Sequence, residues 1–470
     1  MTSTTLLSII ARFVADVGTN GISPALQQDV KRRIMDTLGI ELAASILAPA
    51  QTVEEVISEW GGNAQASLVG RSRKYPAISA ALFNGTAAHS LDFDDTHLPS
   101  VLHPSACIIP AVLAVAETER KQGKDILAAI AVGDELTVRI GMAGYSRELG
   151  NSVFFEKGLH ATSIAGTLGA AAAAAMLYDL DETKIGHAIA IAASMGAGII
   201  EANRTGGSVK RIHCGWAAHG GISAAQLARH GMTGPPTVFE GRFGFLQAYL
   251  DQQVDEEALI SRLGEKWELP HIFFKPYPTN HFTHAGIDAA RLLKEQGLDI
   301  AQIAEIELGV PTAVLRTIAQ PVAEKARPAT GYAAQFSGPF TVATALVGGG
   351  GLGVATEDFT DEAVHNPVKL NLAARVRCVA NEECDRIFPN QFPAILRVFL
   401  QDGSVREARV LANRGGPENP LSDEELGRKF ATNASKVLSA ERITQLLKTI
   451  ETLDTLDTIS DLMSLTRPNS

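Results

Sequence analysis

Cysteine is scarce in this chain: Cys107, Cys214, Cys378 and Cys384 are the only four in 470 residues, and no two have the Cys-x-x-Cys spacing. Zinc knuckles and paired-thiol redox motifs are thereby excluded, and a chain of this size needs no disulfide framework. The four are expected as buried thiols in a reducing compartment. Positive charge is also in short supply, with 41 Lys and Arg against 52 Asp and Glu, a formal net charge of -11. No basic block or basic-aromatic alternation offsets it, so no nucleic-acid partner is expected. The first 22 residues lack the basic start and continuous apolar core of a signal peptide, with Arg12 and Asp16 set inside a helical pattern. Residues 161–178 carry no charge, yet they are mostly Ala and Gly with Thr and Ser. That gives too little apolar surface for lipid and suits close helix packing. A soluble, cytoplasmic protein with no membrane partner is expected.

What is present is a globular composition, 46% hydrophobic and 20% charged, in a chain too long for one core. From residue 5 to about residue 270 the apolar residues recur at three and four, as in 30–42 and 126–136, which is the period of packed helices. After Trp267 the texture changes. Residues 303–310, 375–379, 394–400 and 406–411 alternate or are rich in branched side chains, and Gln401-Asp-Gly-Ser reads as a hairpin turn. Ser422 and Glu425 then have capping-box spacing before a helical tail. The predicted fold is mainly α with an α+β second domain: a large helical domain over 1–270, completed by C-terminal helices in 413–470, and a smaller α+β lid domain inserted over 271–412.

The densest chemistry lies in 84–105, where Asp92, Asp94, Asp95, His97 and His103 are crowded directly before an apolar run, 106–117. Charged side chains are costly to bury unless paired or hydrogen-bonded, so this context favours a site, although the same residues could solvate a helix end. A magnesium site of the helical Asp-Asp-x-x-Asp kind fails because Leu98 occupies the third acidic position and no second ligand set follows. No metal is expected. Acid/base chemistry fits better: His97 or His103 titrates near neutrality, and an adjacent Asp can set an imidazole's tautomer.

Other segments supply partners. His160 precedes the Ala/Gly run, where helix-terminal amides could bind a carboxylate, or it simply caps that helix. Residues 209–219, with Lys210, Arg211, His213 and His219, and residues 273–284, with Lys275, Tyr277, His281 and His284, concentrate cations in an acidic chain. A solvated face would account for the first segment, whereas a lysine directly after Phe273 and Phe274 points to an anion. Gly348, Gly350 and Gly353 spell a dinucleotide fingerprint, but they follow a helical run and open no helix after a strand.

Taken in order, His89-Ser-Leu-Asp-Phe-Asp-Asp-Thr with His103-Pro-Ser, Gly158-Leu-His-Ala-Thr-Ser-Ile-Ala-Gly, Lys210 before Gly215-Trp-Ala-Ala, Phe239-Glu-Gly-Arg-Phe-Gly-Phe, Phe274-Lys-Pro-Tyr-Pro and Ala334-Gln-Phe-Ser span nearly the whole chain. Together they resemble the MmgE/PrpD family. The resemblance implies a helical domain with an α+β lid, a homodimer, and a site between the domains that acts on a small di- or tricarboxylate without cofactor. By likeness to the decarboxylase branch, that site would use Asp92, Thr96, His103, His160, Lys210 and Lys275. Two positions depart from the pattern: Phe340 stands where Tyr is frequent, and Asn280 where the decarboxylase-like pattern carries His. Dehydration of a citrate- or 2-methylcitrate-like substrate is therefore the leading expectation, with cis-aconitate-type decarboxylation, epimerisation, and a non-catalytic carboxylate binder as alternatives. The expected roles are catalytic for His103, His160, Lys210, Lys275, Asp92 and Asp95, and substrate-binding for Thr96, Arg204, Tyr277 and His281.

Overall fold

The structure, a computed structural model, describes residues 4–146, 148–149, 151–251 and 254–468. The chain divides into two compact units, Met1–Ile272 with Phe430–Ser470, and Phe273–Lys429.

The first unit is built of helices, as the periodicity predicts. Leu6–Asn20, Pro24–Ala44, Ala48–Trp60, Ala77–Ala88, Ser105–Glu119, Gly123–Ala143, Ala161–Leu177, Glu182–Ala193 and His213–Arg229 follow in order, and Ala440–Glu451 returns from the far end of the chain. Short polar residues start several of them: Thr5, Ser23 and Asp181 each accept a first-turn amide. At the centre lies Ala161–Leu177, buried along its length except at Met176 and packed by Ser105–Glu119, Gly123–Ala143, Glu182–Ala193 and His213–Arg229. The small residues of 161–178 thus serve helix packing. A Cβ on Gly169 would stand 2.1 Å from the Thr137 Oγ1. Among the described residues no helix is long and apolar enough to cross a membrane.

A second close crossing sets the site. A Cβ on Gly85 would lie 2.7 Å from the Gly215 Cα, and one on Gly215 would lie 2.2 Å from the Leu82 carbonyl oxygen. Helix Ala77–Ala88 therefore meets His213–Arg229 backbone to backbone. His89, which caps the first, is brought to the side of the second where His213 begins it.

The second unit carries a four-stranded sheet in the order Val376–Ala380, Ile303–Val310, Ala394–Leu400, Val405–Val410. The first pair is parallel, with Ile306 opposite Val376, and the others antiparallel, with Leu308 opposite Leu396 and Val398 opposite Arg406. The turn at Gln401–Ser404 joins the last two strands, with Gly403 at φ 85°. Helix His284–Glu295 packs on Ala394–Leu400 and Val405–Val410. The capping box is present: the Ser422 amide donates to Glu425 Oε2 at 2.9 Å and the Glu425 amide to Ser422 Oγ at 3.1 Å.

The return to the helical unit comes at Phe430, later than the 413 expected from sequence. Residues 413–429 are held within the second unit: the Phe274 amide donates to the Gly415 carbonyl at 3.0 Å, and Arg414 donates to the Tyr277 hydroxyl and to Glu425. Side-chain pairing, invisible to periodicity, moves the boundary. The two departures from the family pattern are also local fittings. Phe340 is fully buried with its ring 6.3 Å from Phe359, and the Asn280 side chain accepts from the Phe282 amide to cap a helical turn.

Candidate active site

Residues 89–104, between helices Ala77–Ala88 and Ser105–Glu119, form an irregular loop and no helix, so the acids have no helical spacing. Asp92 and Val101 lie in the left-handed region at φ 51° and 56°, and His97 and Leu102 pair across the loop. This folding turns the neighbouring acids Asp94 and Asp95 in different directions.

Asp94 faces an imidazole. The His89 Nδ1–H donates to Asp94 Oδ2 at 2.6 Å, with both residues buried. Asp95, expected along with Asp92 as a candidate to orient a histidine, is turned away: its side chain takes hydrogen bonds from Arg33, at 3.3 Å, and from the Ser105 hydroxyl, which also donates to Asp134. Burial pushes Asp95 up to about 6 despite Arg33, and pushes Asp134 well above the carboxylate range. Asp95 instead reaches the site through its main chain, whose carbonyl accepts the His103 Nδ1–H at 2.6 Å. A carbonyl cannot donate, so the neutral His103 ring carries its proton on Nδ1 and its lone pair on Nε2. Thr96 Oγ1 lies 3.2 Å from the same Nδ1, and the His103 amide donates to Thr162 Oγ1 at 3.2 Å.

Four imidazoles form a chain. The ring of His89 is 5.6 Å from that of His103 and 5.4 Å from that of His160, and His160 is 5.0 Å from His213. His160 is set by its amide, which donates to the Gly198 carbonyl at 3.0 Å, and His213 by the Ser163 hydroxyl, which donates to its carbonyl at 3.0 Å. The Nδ1 atoms of His160 and His213 are 3.0 Å apart. Burial, helped by the imidazole of His89, the Lys210 ammonium and the rings of His213 and His103, holds His160 well below the histidine range. Burial, His89 and Lys210 lower His213 to about 4. Both rings are thus neutral near pH 7 and share one proton.

Of the other expected residues, Lys210 is partly buried in the turn Val209–Ile212 that leads into His213–Arg229, and Arg204 is exposed on Ala202–Thr205. His97 is fully buried, its Nδ1 2.8 Å from the Ser100 hydroxyl, and burial lowers it to about 3. It fastens the loop.

In the second unit, Lys275 is 1% exposed. His281 packs against His284 with rings 4.7 Å apart, and the His284 Nε2–H donates to the Thr279 carbonyl at 3.1 Å. Burial, the His281 ring and the Lys275 charge keep His284 far below the histidine range. Tyr277 departs from the expected substrate contact. It is fully buried, donates to Asp288 Oδ1 at 2.6 Å and accepts from Arg414 at 2.9 Å, so its hydroxyl belongs to an internal network.

Of the residues that the structure gathers here, sequence reasoning named Asp94 and His213 only as members of crowded segments and assigned no role to them or to His89; the signals available were a His at the start of the acidic motif and a His two residues before Gly215. Among the described residues, His89, Asp94 and Cys214 have donor atoms within 4.8 Å of one another, a set that could in principle hold a metal. One observation disfavours it: the 2.6 Å between His89 and Asp94 is shorter than the roughly 3.4 Å separating two ligands of a tetrahedral zinc. The arrangement is that of hydrogen-bonded acid/base groups.

The MmgE/PrpD N-terminal domain matches residues 8–257 and the MmgE/PrpD C-terminal domain residues 277–455. The cis-aconitate decarboxylase of Homo sapiens is 30% identical over 459 residues, covering 94% of this chain and 90% of that protein. A cis-aconitate decarboxylase-like protein, oryM, of Aspergillus oryzae is 26% identical over 97% of this chain and 96% of its own length, and a cis-aconitate decarboxylase of Aspergillus terreus is 25% identical over 97% and 95%. With both domain models matching in order, the chain belongs to the MmgE/PrpD family.

Proposed function

We propose that this protein is a cofactor-independent lyase acting on a small di- or tricarboxylate, with cis-aconitate-type decarboxylation as its leading reaction in place of the dehydration expected from sequence. The names of its relatives support that order. The observation that carries the enzyme reading is His103, whose Nδ1–H is fixed on the Asp95 carbonyl so that Nε2 presents a lone pair.

Dehydration and decarboxylation share one difficulty, the negative charge that develops on carbon beside a carboxylate. In the first, a C–H proton leaves for a base while the departing hydroxyl takes a proton. In the second, CO₂ leaves and the electron pair left on carbon takes one. Both want fixed cations and neutral donors aimed at the carboxylate oxygens. His103 suits proton transfer. His160, held neutral, suits the donor role whenever His213 supplies the shared proton and leaves His160 with Nε2–H. Lys210 would bind a substrate carboxylate and draw anions to an acidic protein, Thr96 would hydrogen-bond one, and Lys275 is proposed as a second carboxylate-binding cation. Asp92, Arg204 and His281 stay proposals for orientation and carboxylate binding.

The test is proton NMR of EDTA-treated protein in D₂O with cis-aconitate, citrate, 2-methylcitrate and an iminodisuccinate-like diacid. CO₂ loss from cis-aconitate is expected. Water loss from citrate or 2-methylcitrate alone would restore the dehydratase reading, and inertness toward all four would sink the proposal in favour of a carboxylate binder.

A further inference from the structure

The reaction class proposed above moves two protons, or one proton onto carbon, and His160 is poorly suited to carry either. It is buried, surrounded by other imidazoles and an ammonium, and its Nδ1 is committed to His213. Dehydration therefore needs a second proton carrier beside His103, and decarboxylation a carrier for the one proton that reaches carbon.

His89 has the features of one. Its Nδ1–H is anchored on the Asp94 carboxylate, an arrangement that fixes the ring's orientation and leaves Nε2 as the working atom. That Nε2 is buried and has no hydrogen-bond partner among the described residues. Buried polar atoms are nearly always satisfied, and a bare one within a cluster of imidazoles is placed to meet a substrate atom. The ring stands between those of His103 and His160, close to equidistant from both. Asp94 also balances the charge when His89 carries its second proton.

Resting on the lyase reading, we propose that His89, oriented by Asp94, is the second proton-transfer group of the site and meets the substrate through Nε2. His89 Nε2–H delivers its proton to carbon as CO₂ departs, or to the leaving hydroxyl as water forms, and the ring is left neutral with Nδ1–H still on Asp94. The electron pair of the broken bond ends in the new C–H bond in the first case and on the departing oxygen in the second.

Asp94→Asn and His89→Gln test this. The amide of Asp94→Asn can present N–H to Nδ1 and so favours the wrong tautomer. Both variants are expected to lose at least about 100-fold in kcat on cis-aconitate with KM changed less than about threefold, and the double variant to be no slower than His89→Gln, because the two act as one unit. Near wild-type kcat in either, or additive losses that track a falling Tm while the folded fraction turns over normally, would overturn the proposal. A readout independent of turnover is the ¹⁵N signal of His89 in histidine-labelled wild-type protein titrated with citrate. Nε2 is expected to shift on binding. An unmoved Nε2 signal overturns the proposal even where the enzyme is active; a shifted signal in a protein inert toward all four acids upholds the contact and rejects the lyase reading instead.

Discussion

His160 and His213 face each other through Nδ1 atoms 3.0 Å apart, and because both rings are neutral near pH 7, one proton serves the two. Which ring holds it decides whether His160 offers an N–H or a lone pair at Nε2. His213→Phe removes the partner and is expected to cut kcat by about 10- to 100-fold with little change in KM. Steady-state kinetics with cis-aconitate checks this, and unchanged kcat would dismiss the tautomer argument.

His103→Gln tests the proton-transfer role directly. A loss of about 10²- to 10⁴-fold in kcat is expected in a protein whose thermal unfolding matches the wild type.

Lys275 is buried, and its removal should weaken carboxylate binding. Lys275→Met is expected to lower kcat/KM by more than about 100-fold, and Lys275→Arg to rescue little of it, since a planar fork does not replace a compact ammonium at a buried position. Activity of Lys275→Arg close to wild type would show that charge alone suffices.

Tyr277→Phe separates structure from chemistry. Its hydroxyl joins Asp288 and Arg414, so the substitution leaves buried polar groups short of a partner and should destabilise by about 1–3 kcal/mol while kcat is kept. Urea titration and turnover together decide it. A fall in kcat at unchanged stability would return Tyr277 to the substrate.

The pH dependence of stability has a definite sign at His97. Burial lowers it to about 3 from an ordinary 6.5, so below pH 6.5 the unfolded chain takes a proton that the folded one refuses, and stability drains as pH falls toward 3. Asp95, raised to about 6, acts oppositely and gains native-state stability as pH falls through 6. The difference between wild type and His97→Asn removes Asp95 from the comparison. The variant should fall less steeply from pH 6.5 to 5, by up to about 2 kcal/mol. Parallel curves would refute the assignment.

The regular elements could be read because their burial is periodic. Ile303–Val310 and Ala394–Leu400 have the limits that branching and alternation give, and the hairpin at Gly403 follows from its turn residues. The motifs single out His103, His160 and Thr96 as candidates, and the structure sets Thr96 Oγ1 3.2 Å from His103 Nδ1 and the rings of His103 and His160 on either side of His89. The choice between Asp94 and Asp95 was not. In residues 89–104 no repeat assigns neighbours to faces, and a left-handed residue at Asp92 redirects everything after it. His213 was hidden for a different reason: its pairing with His160 spans 53 positions and depends on where two helices cross.

That crossing carries a consequence for how variation in this protein would be scored. Gly85 and Gly215 have no chemistry of their own, yet the room they leave is what sets His89 beside the helix begun by His213. One methyl group at either position would wedge the two backbones apart. Gly85→Ala and Gly215→Ala are therefore expected to lose activity and thermal stability together, a packing lesion that a screen on turnover alone would file among catalytic mutants.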